Sequence, residues 1–443
     1  MYREITFKAL FWFFVLFPSV SLVSCGGEAP IPSGTTPTDT TPSGWTGARQ
    51  FGTSSDDYAK DVAIDNSGNI YAAGFTYGGL DGNTSAGGPD VFLVKYDSTG
   101  AKQWTRQIGT AGDDYAEGVA VDNSGNTYVT GFTDGGLDGN TSAGSYDIFL
   151  VKYDSTGAKQ WTRQLGTSNY DNAEGVALDS SGDIYVTGYT YGGLDGNTSA
   201  GGTDVFLVKY DSTGARQWTQ QFGISGNSDY AYDVALDSSG NVYVTGATSA
   251  GPYFSAAPDI FLVKYDSSGT KQWTQQLGTS SEEFAEGVAV DSSGNVYVTG
   301  YAYGGLDGNT SAGLPDVFLV KYDSAGAKQW TQQLGTSNYD NAEGVALDSS
   351  GNVYVTGYTY GGFDGNTSAG SNDIFLLKYD STGAKQWIQQ FGTSSGEGGY
   401  SIAVESTGEI YVTGYTYGGL DGNTSAGSSD IFLLKYDTNG VRQ

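Results

Sequence analysis

Tryptophan recurs in this chain at a fixed interval, and that interval constrains the fold more than any other feature. Trp104, Trp161 and Trp218 stand 57 residues apart, Trp273 follows after 55, and Trp330 and Trp387 resume the spacing of 57. A period of this size marks stacked copies of one supersecondary unit, a solenoid or a propeller. One unit is legible from 118 to 166. "GVAVD" (118–122) alternates apolar and small residues, "NSGN" (123–126) is a tight turn, and "TYVTGFT" (127–133) is β-branched and aromatic. After a long Gly-rich loop come "DIFLVKYD" (147–154), the turn "STGAK" and "QWTRQLG" (160–166). Four short β runs separated by turn residues, with no helical period, read as a four-stranded antiparallel meander. Four strands per repeat is the blade of a β-propeller.

The third-strand phrase occurs seven times, beginning at 90, 147, 204, 259, 316, 373 and 430. The fourth strand follows it only six times, because "KYDTNGVRQ" stops at Gln443 before the expected Trp. A spare copy stands ahead of the first inner strand, "WTGARQFG" (45–52). The expected fold is therefore all-β: a seven-bladed β-propeller of four-stranded antiparallel blades over 45–443, its ring closed by the N-terminal strand completing the last blade. Closure removes the sheet edges that an open array would expose.

Phrases such as "GVAVDSSGNVYVTGYAY" (287–303) resemble the seven-bladed β-propeller repeat family, abbreviated SBBP. The likeness covers about 45–443. It implies a propeller and an extracytoplasmic life, and implies no agreed activity.

The N-terminus adds an address. Arg3 and Lys8 precede a short apolar stretch, Ala9 to Phe17, and then come Leu22, Val23, Ser24 and Cys25. This run resembles the lipobox of bacterial lipoproteins, which implies lipidation of Cys25 and removal of a signal peptide, 1–24. Residues 25–44 are Pro, Thr, Ser and Gly with almost no apolar side chains, a tether rather than a core. The expected location is the cell envelope, at the outer membrane or cell surface, with the membrane reached through the lipid.

Charge and composition exclude whole classes. Lys plus Arg number 20 against 49 Asp plus Glu, a net charge of −29. Such a surface repels phosphate backbones, so no nucleic acid is expected. With His absent and one Cys present, His-based acid–base chemistry, multi-Cys zinc sites and intrachain disulfides are excluded. Near-identical blades leave no unique catalytic constellation, and no enzyme activity is expected.

Three motifs remain. The "DSSGN" and "DSTGA" phrases are hairpin turns, the Asp capping its own backbone and Gly taking the φ > 0 position. Trp of the fourth strand fills the gap between neighbouring sheets, and Lys of "LVKYD" snorkels or meets a carboxylate. The long loop "GGLDGNTSAG" is the chief site candidate. It places Asp81 with Asn83, Asp138 with Asn140, Asp195 with Asn197, Asp307 with Asn309, Asp364 with Asn366 and Asp421 with Asn423. Oxygen donors at alternate positions suit Ca²⁺. The loop lacks the acidic twelfth position of an EF-hand, and turn building is the competing explanation. No other cofactor is suggested.

Tyr77, Tyr191, Tyr303, Tyr360 and Tyr417 precede the Gly pair and suit stacking on a sugar ring. The fourth blade diverges, with Tyr253 and Phe254 in its loop (248–259), and any single partner site is expected there. Topology puts the loops on the same face as the acidic links "GTSSDDYA" (52–59), "GTAGDDYA" (109–116) and "GTSSEEFA" (278–285), with the short turns and the Lys of "STGAK" opposite. The functional expectation is a monomeric, non-catalytic interaction scaffold that meets a protein or matrix partner through this acidic face. The alternative is a carbohydrate-binding propeller, Ca²⁺-assisted or not.

Overall fold

Each blade grows from two tight turns, one joining its inner and second strands and the other leading out of its third strand. In the first, Asp65 Oδ1 accepts from the backbone N–H groups of Ser67 and Asn69, and Gly68 takes φ +74°. An L side chain rarely adopts that conformation, which is why the phrase carries Gly. The second turn repeats the device at Asp97, whose carboxylate takes the N–H groups of Thr99 and Ala101.

The structure is a computed structural model that describes residues 45–249 and 257–443. The chain divides into two units, Met1–Pro42 and Ser43–Gln443. The first unit, with Leu22, Val23, Ser24 and Cys25, lies outside the described residues, as do residues 43–44 and Tyr253 and Phe254 of blade 4. Among the described residues the strands form seven four-stranded sheets. Blade 1 comprises an inner strand Asp57–Ile64, a second strand Ile70–Thr76, a third strand Asp90–Tyr96 and an outer strand Lys102–Ile108. Blades 2 to 6 repeat this order. Blade 7 has Glu397–Val404, Ile410–Thr416 and Asp430–Tyr436, with Arg49–Phe51 as its outer strand.

Closure follows the expectation and adds a second contributor. Arg49 pairs with Leu433, Gln50 with Phe432 and Phe51 with Ile431. Trp45 is the Trp missing after Gln443: it packs edge-on against Tyr411 at 5.6 Å, where Trp104 packs tilted against Tyr71 at 6.2 Å. The end of the chain supplies the rest, with Arg442 bridging back to Tyr436 and Gln443 accepting the Gly47 N–H at 2.9 Å. The outer edge of blade 7 is thus shared between both ends of the chain.

The core lies between blades. Seven buried clusters each join two consecutive blades, and one of them joins blade 7 to blade 1. Tyr71 and its equivalents Tyr128, Tyr185, Tyr243, Tyr297, Tyr354 and Tyr411 are the largest fully buried side chains. The Tyr71 hydroxyl donates to turn Asp65 at 3.0 Å, while Lys95 Nζ lies 5.0 Å from the ring centre and donates to Ser155 O of blade 2. Trp of the outer strand fills the inter-sheet gap as expected. One Gly in each second strand answers a different need. The inner strand is bulged between Ala59 and Asp61, and a Cβ on Gly74 would sit 1.9 Å from Tyr58 O. Bulges sharpen strand twist and re-aim the side chains around them.

Candidate functional site

The long loop does emerge on the face of the inter-blade links: Tyr77 N–H bonds Asp56 O and Asp114 N–H bonds Pro89 O. From there it turns inward. Leu80 is buried in the cluster joining blades 7 and 1, and Phe363 takes the equivalent place in the variant loop. Asp81 follows in the left-handed region at φ 51°, and its carboxylate is held by Lys102 at 2.7 Å and by the Thr105 hydroxyl. Asp138 is held by Lys159, Asp195 by Arg216, Asp307 by Lys328, Asp364 by Lys385 and Asp421 by Arg442. The Lys of "STGAK", expected on the opposite face, reaches back along its own outer strand to clasp this loop.

The Asn amide is also occupied. Asn83, Asn140, Asn197, Asn309 and Asn423 each donate Nδ2 to the carbonyl of the Leu three residues earlier. Asn366 closes the same turn with its backbone N–H on Phe363 O. The geometry of all six loops is that of a clasp. Among the described residues no group of three or more acidic, His or Cys side chains converges as a metal site.

The links contribute less exposed charge than expected. Asp57, Asp114 and Glu283 are fully buried. Asp57 accepts from Thr53 and from the Thr76 hydroxyl, locking the link to the second strand. Burial raises its pKa, against those hydrogen bonds and with help from the Asp430 carboxylate. Glu283 is pushed up to about 7, chiefly by burial. On this face, half of each acidic pair is structural.

Exposed instead are tyrosines. Tyr77, Tyr191, Tyr303 and Tyr417 are exposed, Tyr417 by 46%, and Tyr360 is half-buried. Sequence reasoning missed Tyr170 and Tyr339, which the "SNYD" links bring to the same rim, Tyr170 with 49% exposure. The rings form chains. Tyr170 packs on Tyr191, Tyr339 on Tyr360, and Tyr58 on Tyr415, with the Tyr58 and Tyr417 hydroxyls 3.3 Å apart. Blade 2 has Asp134, and blade 4 Ser249, where the five other loops have Tyr, and Tyr146 from the far end of the blade 2 loop packs on Phe132.

Below this rim, the inner strands carry the feature that repeat counting hid. Their fourth residue is Glu117, Glu174, Glu286 or Glu343 in four blades, Tyr232 or Tyr400 in two, and Lys60 in blade 1. Lys60 Nζ lies 3.3 Å from Glu117 of blade 2 and 4.9 Å from the centre of the Tyr400 ring of blade 7. Fourth positions of three consecutive blades therefore meet, lining the central channel. Tyr301, Tyr358 and Tyr400 are raised well above the usual phenol range, first by burial and then by neighbours that include the Glu343 carboxylate. They stay neutral donors and π faces.

The fifth residue varies in step. It is Gly in blades 2, 3, 5 and 6, where an added Cβ would meet the next blade at 3.1–3.3 Å. In blades 1 and 4 it is Asp. Asp61 accepts from Val119 N–H of blade 2 and Ser401 Oγ of blade 7, and Asp233 from Val288 N–H of blade 5. Burial pushes Asp61 up to about 6 and Asp233 to about 7, against those bonds. The signal was available: "YAKDV", "YAEGV" and "YAYDV" differ at these two positions while their flanks do not.

Comparison with known proteins places this geometry. The chain is 26% identical over 442 residues to an uncharacterized WD repeat-containing protein of Acanthamoeba polyphaga mimivirus, covering 76% of this chain and 32% of that protein. It is 26% identical over 419 residues to regulatory protein FlaEY of Caulobacter vibrioides, covering 81% of this chain and 42% of that one. The chain thus spans well under half the length of either relative. Among solved structures, a puromycin hydrolase S511A mutant superposes with TM-score 0.53 at 11% identity, over 88% of this chain and 53% of the other. The WD40 domain of Neurospora crassa Pan2 gives TM-score 0.49 at 11% identity, over 88% and 97%. At these identities the likeness concerns the fold alone. The beta-propeller repeat matches at 47–81, 103–138, 160–195, 217–254, 272–307, 329–364 and 386–421. Each match begins in or beside an outer strand and all but the fourth end at a loop Asp, so family repeat and blade are offset by one strand. With seven such repeats over more than half its length, the chain belongs to the SBBP beta-propeller repeat family.

Proposed function

We propose that this propeller is a non-catalytic interaction scaffold that docks a protein partner on its loop face. The carrying observation is the contrast between the ends of the ring: tight Asp-capped turns at one, a rim of exposed tyrosines at the other. Tyrosine supplies large contact area at low entropic cost, and interfaces are rich in it. The sequence expectation of a docking face defined by acidity shifts accordingly to one defined by aromatic rings. A non-catalytic role fits the raised acids, since Asp61, Asp233 and Asp57 are each tied to backbone N–H groups within the wall.

The proposal includes an envelope location through lipid on Cys25, carried by Leu22, Val23 and Ser24 before it. Mass spectrometry of the mature chain tests this: acyl mass on Cys25 supports it, and an unmodified or retained leader overturns it. Docking is tested by proximity cross-linking in cells. Replacing Tyr191, Tyr303 and Tyr360 together by Ala should abolish the cross-links, whereas changes in the turns at Asp97 and Asp154 should not.

A second reading, glycan binding, rests on the exposure of Tyr77, Tyr191, Tyr303 and Tyr417. It takes no support from Ca²⁺ at Asp81 and its equivalents, whose carboxylates are engaged by Lys or Arg. Binding to a glycan array that is insensitive to salt and lost in the triple Tyr variant would favour it over the protein partner.

A further inference from the structure

We propose that the outer wall of blade 4 is a docking site for a protein partner's aspartate-bearing tight turn, of the kind that this chain's own loops form in the other six blades. The chain itself shows the contact. In blade 1 the outer strand clasps its loop at three points. Lys102 and the Thr105 hydroxyl hold the Asp81 carboxylate. Gln107 takes the Leu80 N–H on Oε1 at 3.0 Å, and gives Nε2 to Gly78 O at 2.9 Å and to Asp90 Oδ2 at 2.8 Å. The Ala86 N–H also reaches Asp90 Oδ2, at 2.8 Å. Gln164, Gln221, Gln333, Gln390 and Gln50 repeat the bond to the loop N–H in blades 2, 3, 5, 6 and 7.

Blade 4 keeps the receiving side chains and lacks the loop motif. Its outer strand Lys271–Leu277 carries Lys271, Thr274 and Gln276 where blade 1 has Lys102, Thr105 and Gln107. Residues 248–259 contain no Leu-Asp-Gly. Thr274 and Gln276 are exposed, whereas Thr105 and Gln107 are half-buried. Among the described residues no carboxylate pairs with Lys271, and no hydrogen bond engages the side chains of Thr274 and Gln276. A second observation points the same way. Asp259, the equivalent of Asp90, is fully buried, and neither of its carboxylate oxygens has a hydrogen-bond partner. Burial pushes its pKa up to about 6. A buried carboxylate without donors is costly. A guest N–H on Gln276 Oε1 sets the amide as in Gln107, with Nε2 toward Asp259, so filling the outer site also satisfies the buried acid. The net charge of −29 opposes an acidic tract. The site therefore selects one carboxylate on an otherwise neutral turn. It lies on the outer wall, apart from the tyrosine rim, and stands whether or not that rim docks a partner.

The test is titration of a fluorescein-labelled cyclic peptide carrying GGLDGNTSAG with the full chain, read by anisotropy. Cyclisation limits the ordering cost of the peptide. Saturable binding is expected. Asn in place of the peptide's Asp should weaken it at least ~3-fold, and Gln276→Ala in the chain at least ~10-fold. Gln107→Ala, the same change in a clasped blade, should leave it unchanged. Replacing residues 249–258 by 303–315, the blade 5 loop, should abolish peptide binding and raise the melting temperature, a gain that no loss of folding produces. No saturable binding, equal binding of the Asn peptide, full binding in Gln276→Ala, or binding that survives the graft would each overturn the site. Loss of binding in the Tyr191, Tyr303 and Tyr360 triple variant would also overturn it, by putting the peptide on the rim.

Discussion

The outer and inner walls of this ring were built from the same repeat and have come to differ. On the outer wall, six loop acids are clasped by six basic residues, and a Trp lies against a buried Tyr in blade after blade. On the inner wall the fourth and fifth positions run through Lys-Asp, Glu-Gly, Tyr-Asp and Tyr-Ser. The outer positions must satisfy the neighbouring blade, and identical neighbours demand identical answers. Inner side chains reach neighbouring blades too, Asp61 through Val119 and Ser401 and Asp233 through Val288, but by contacts that differ from blade to blade. Repetition therefore reports on the packing every blade shares, and departures from it mark contacts peculiar to one set of neighbours.

The largest effect should come from breaking the outer wall at its seam. Replacing Trp45 and Phe51 together by Ala removes two aromatic groups from the cluster joining blades 7 and 1, at a cost of more than about 5 kcal/mol. Loss of the cooperative thermal transition, with self-association through the freed edge of the third strand of blade 7, is the expected readout. A melt within a few degrees of the parent would show that closure contributes little.

Next in size is an inter-blade Tyr. Tyr297→Ala should cost about 3–5 kcal/mol. Tyr297→Phe, which removes only the bond to Asp291, should cost about 1 kcal/mol. Urea titration separates the two, and equal costs would mean that the hydroxyl, not the ring, is what the interface uses.

Acids of the inner wall and acids of the tight turns should respond oppositely to pH. Asp61 and Asp233 have pKa values raised to about 6 and about 7 by burial. The folded state holds their protons more tightly, so their contribution is fully present below the unfolded value near 3.8 and is lost as pH rises through 6 to 7. Turn acids run the other way. Burial raises Asp65 and Asp348, but bonds from Asn69 and Asn352 outweigh it and lower both. Their contribution is present above about 3.8 and is lost as pH falls below it. Melting temperature should peak at about pH 4, close to the unfolded value of both sets, and Asp233→Asn should flatten the neutral side alone. A flat profile in the parent would remove the inner-wall acids from this account.

The smallest effect should be a single clasp. Lys102→Ala breaks a partly exposed pair with Asp81, worth about 0.5 kcal/mol, and should leave the melt nearly unmoved.

What the sequence disclosed follows the same division. Blade number, strand order, the capped turns and the N-terminal closing strand are local or periodic, and period and turn chemistry express them directly. The path of the long loop was not legible, because Leu80 inside a Gly-rich phrase looks like loop until the neighbouring blade is there to bury it. Nor was the pairing of Asp81 with Lys102, since residues read as lying on opposite faces meet only once the loop folds down the outer strand. The inner wall was written in plain view at positions four and five, but its meaning needed the ring, which alone brings residues some 57 positions apart, such as Lys60 and Glu117, into one channel.

The shared outer edge of blade 7 has a topological consequence. Gly47 and Gln443 are hydrogen-bonded to each other, so within the propeller the first and last described segments meet at one blade edge. The order of the blades then does not depend on which blade carries the break. A permutant joined from 443 to 45 and opened at the exposed turn after Asp211 should rebuild the same ring, its seam moved to blade 3.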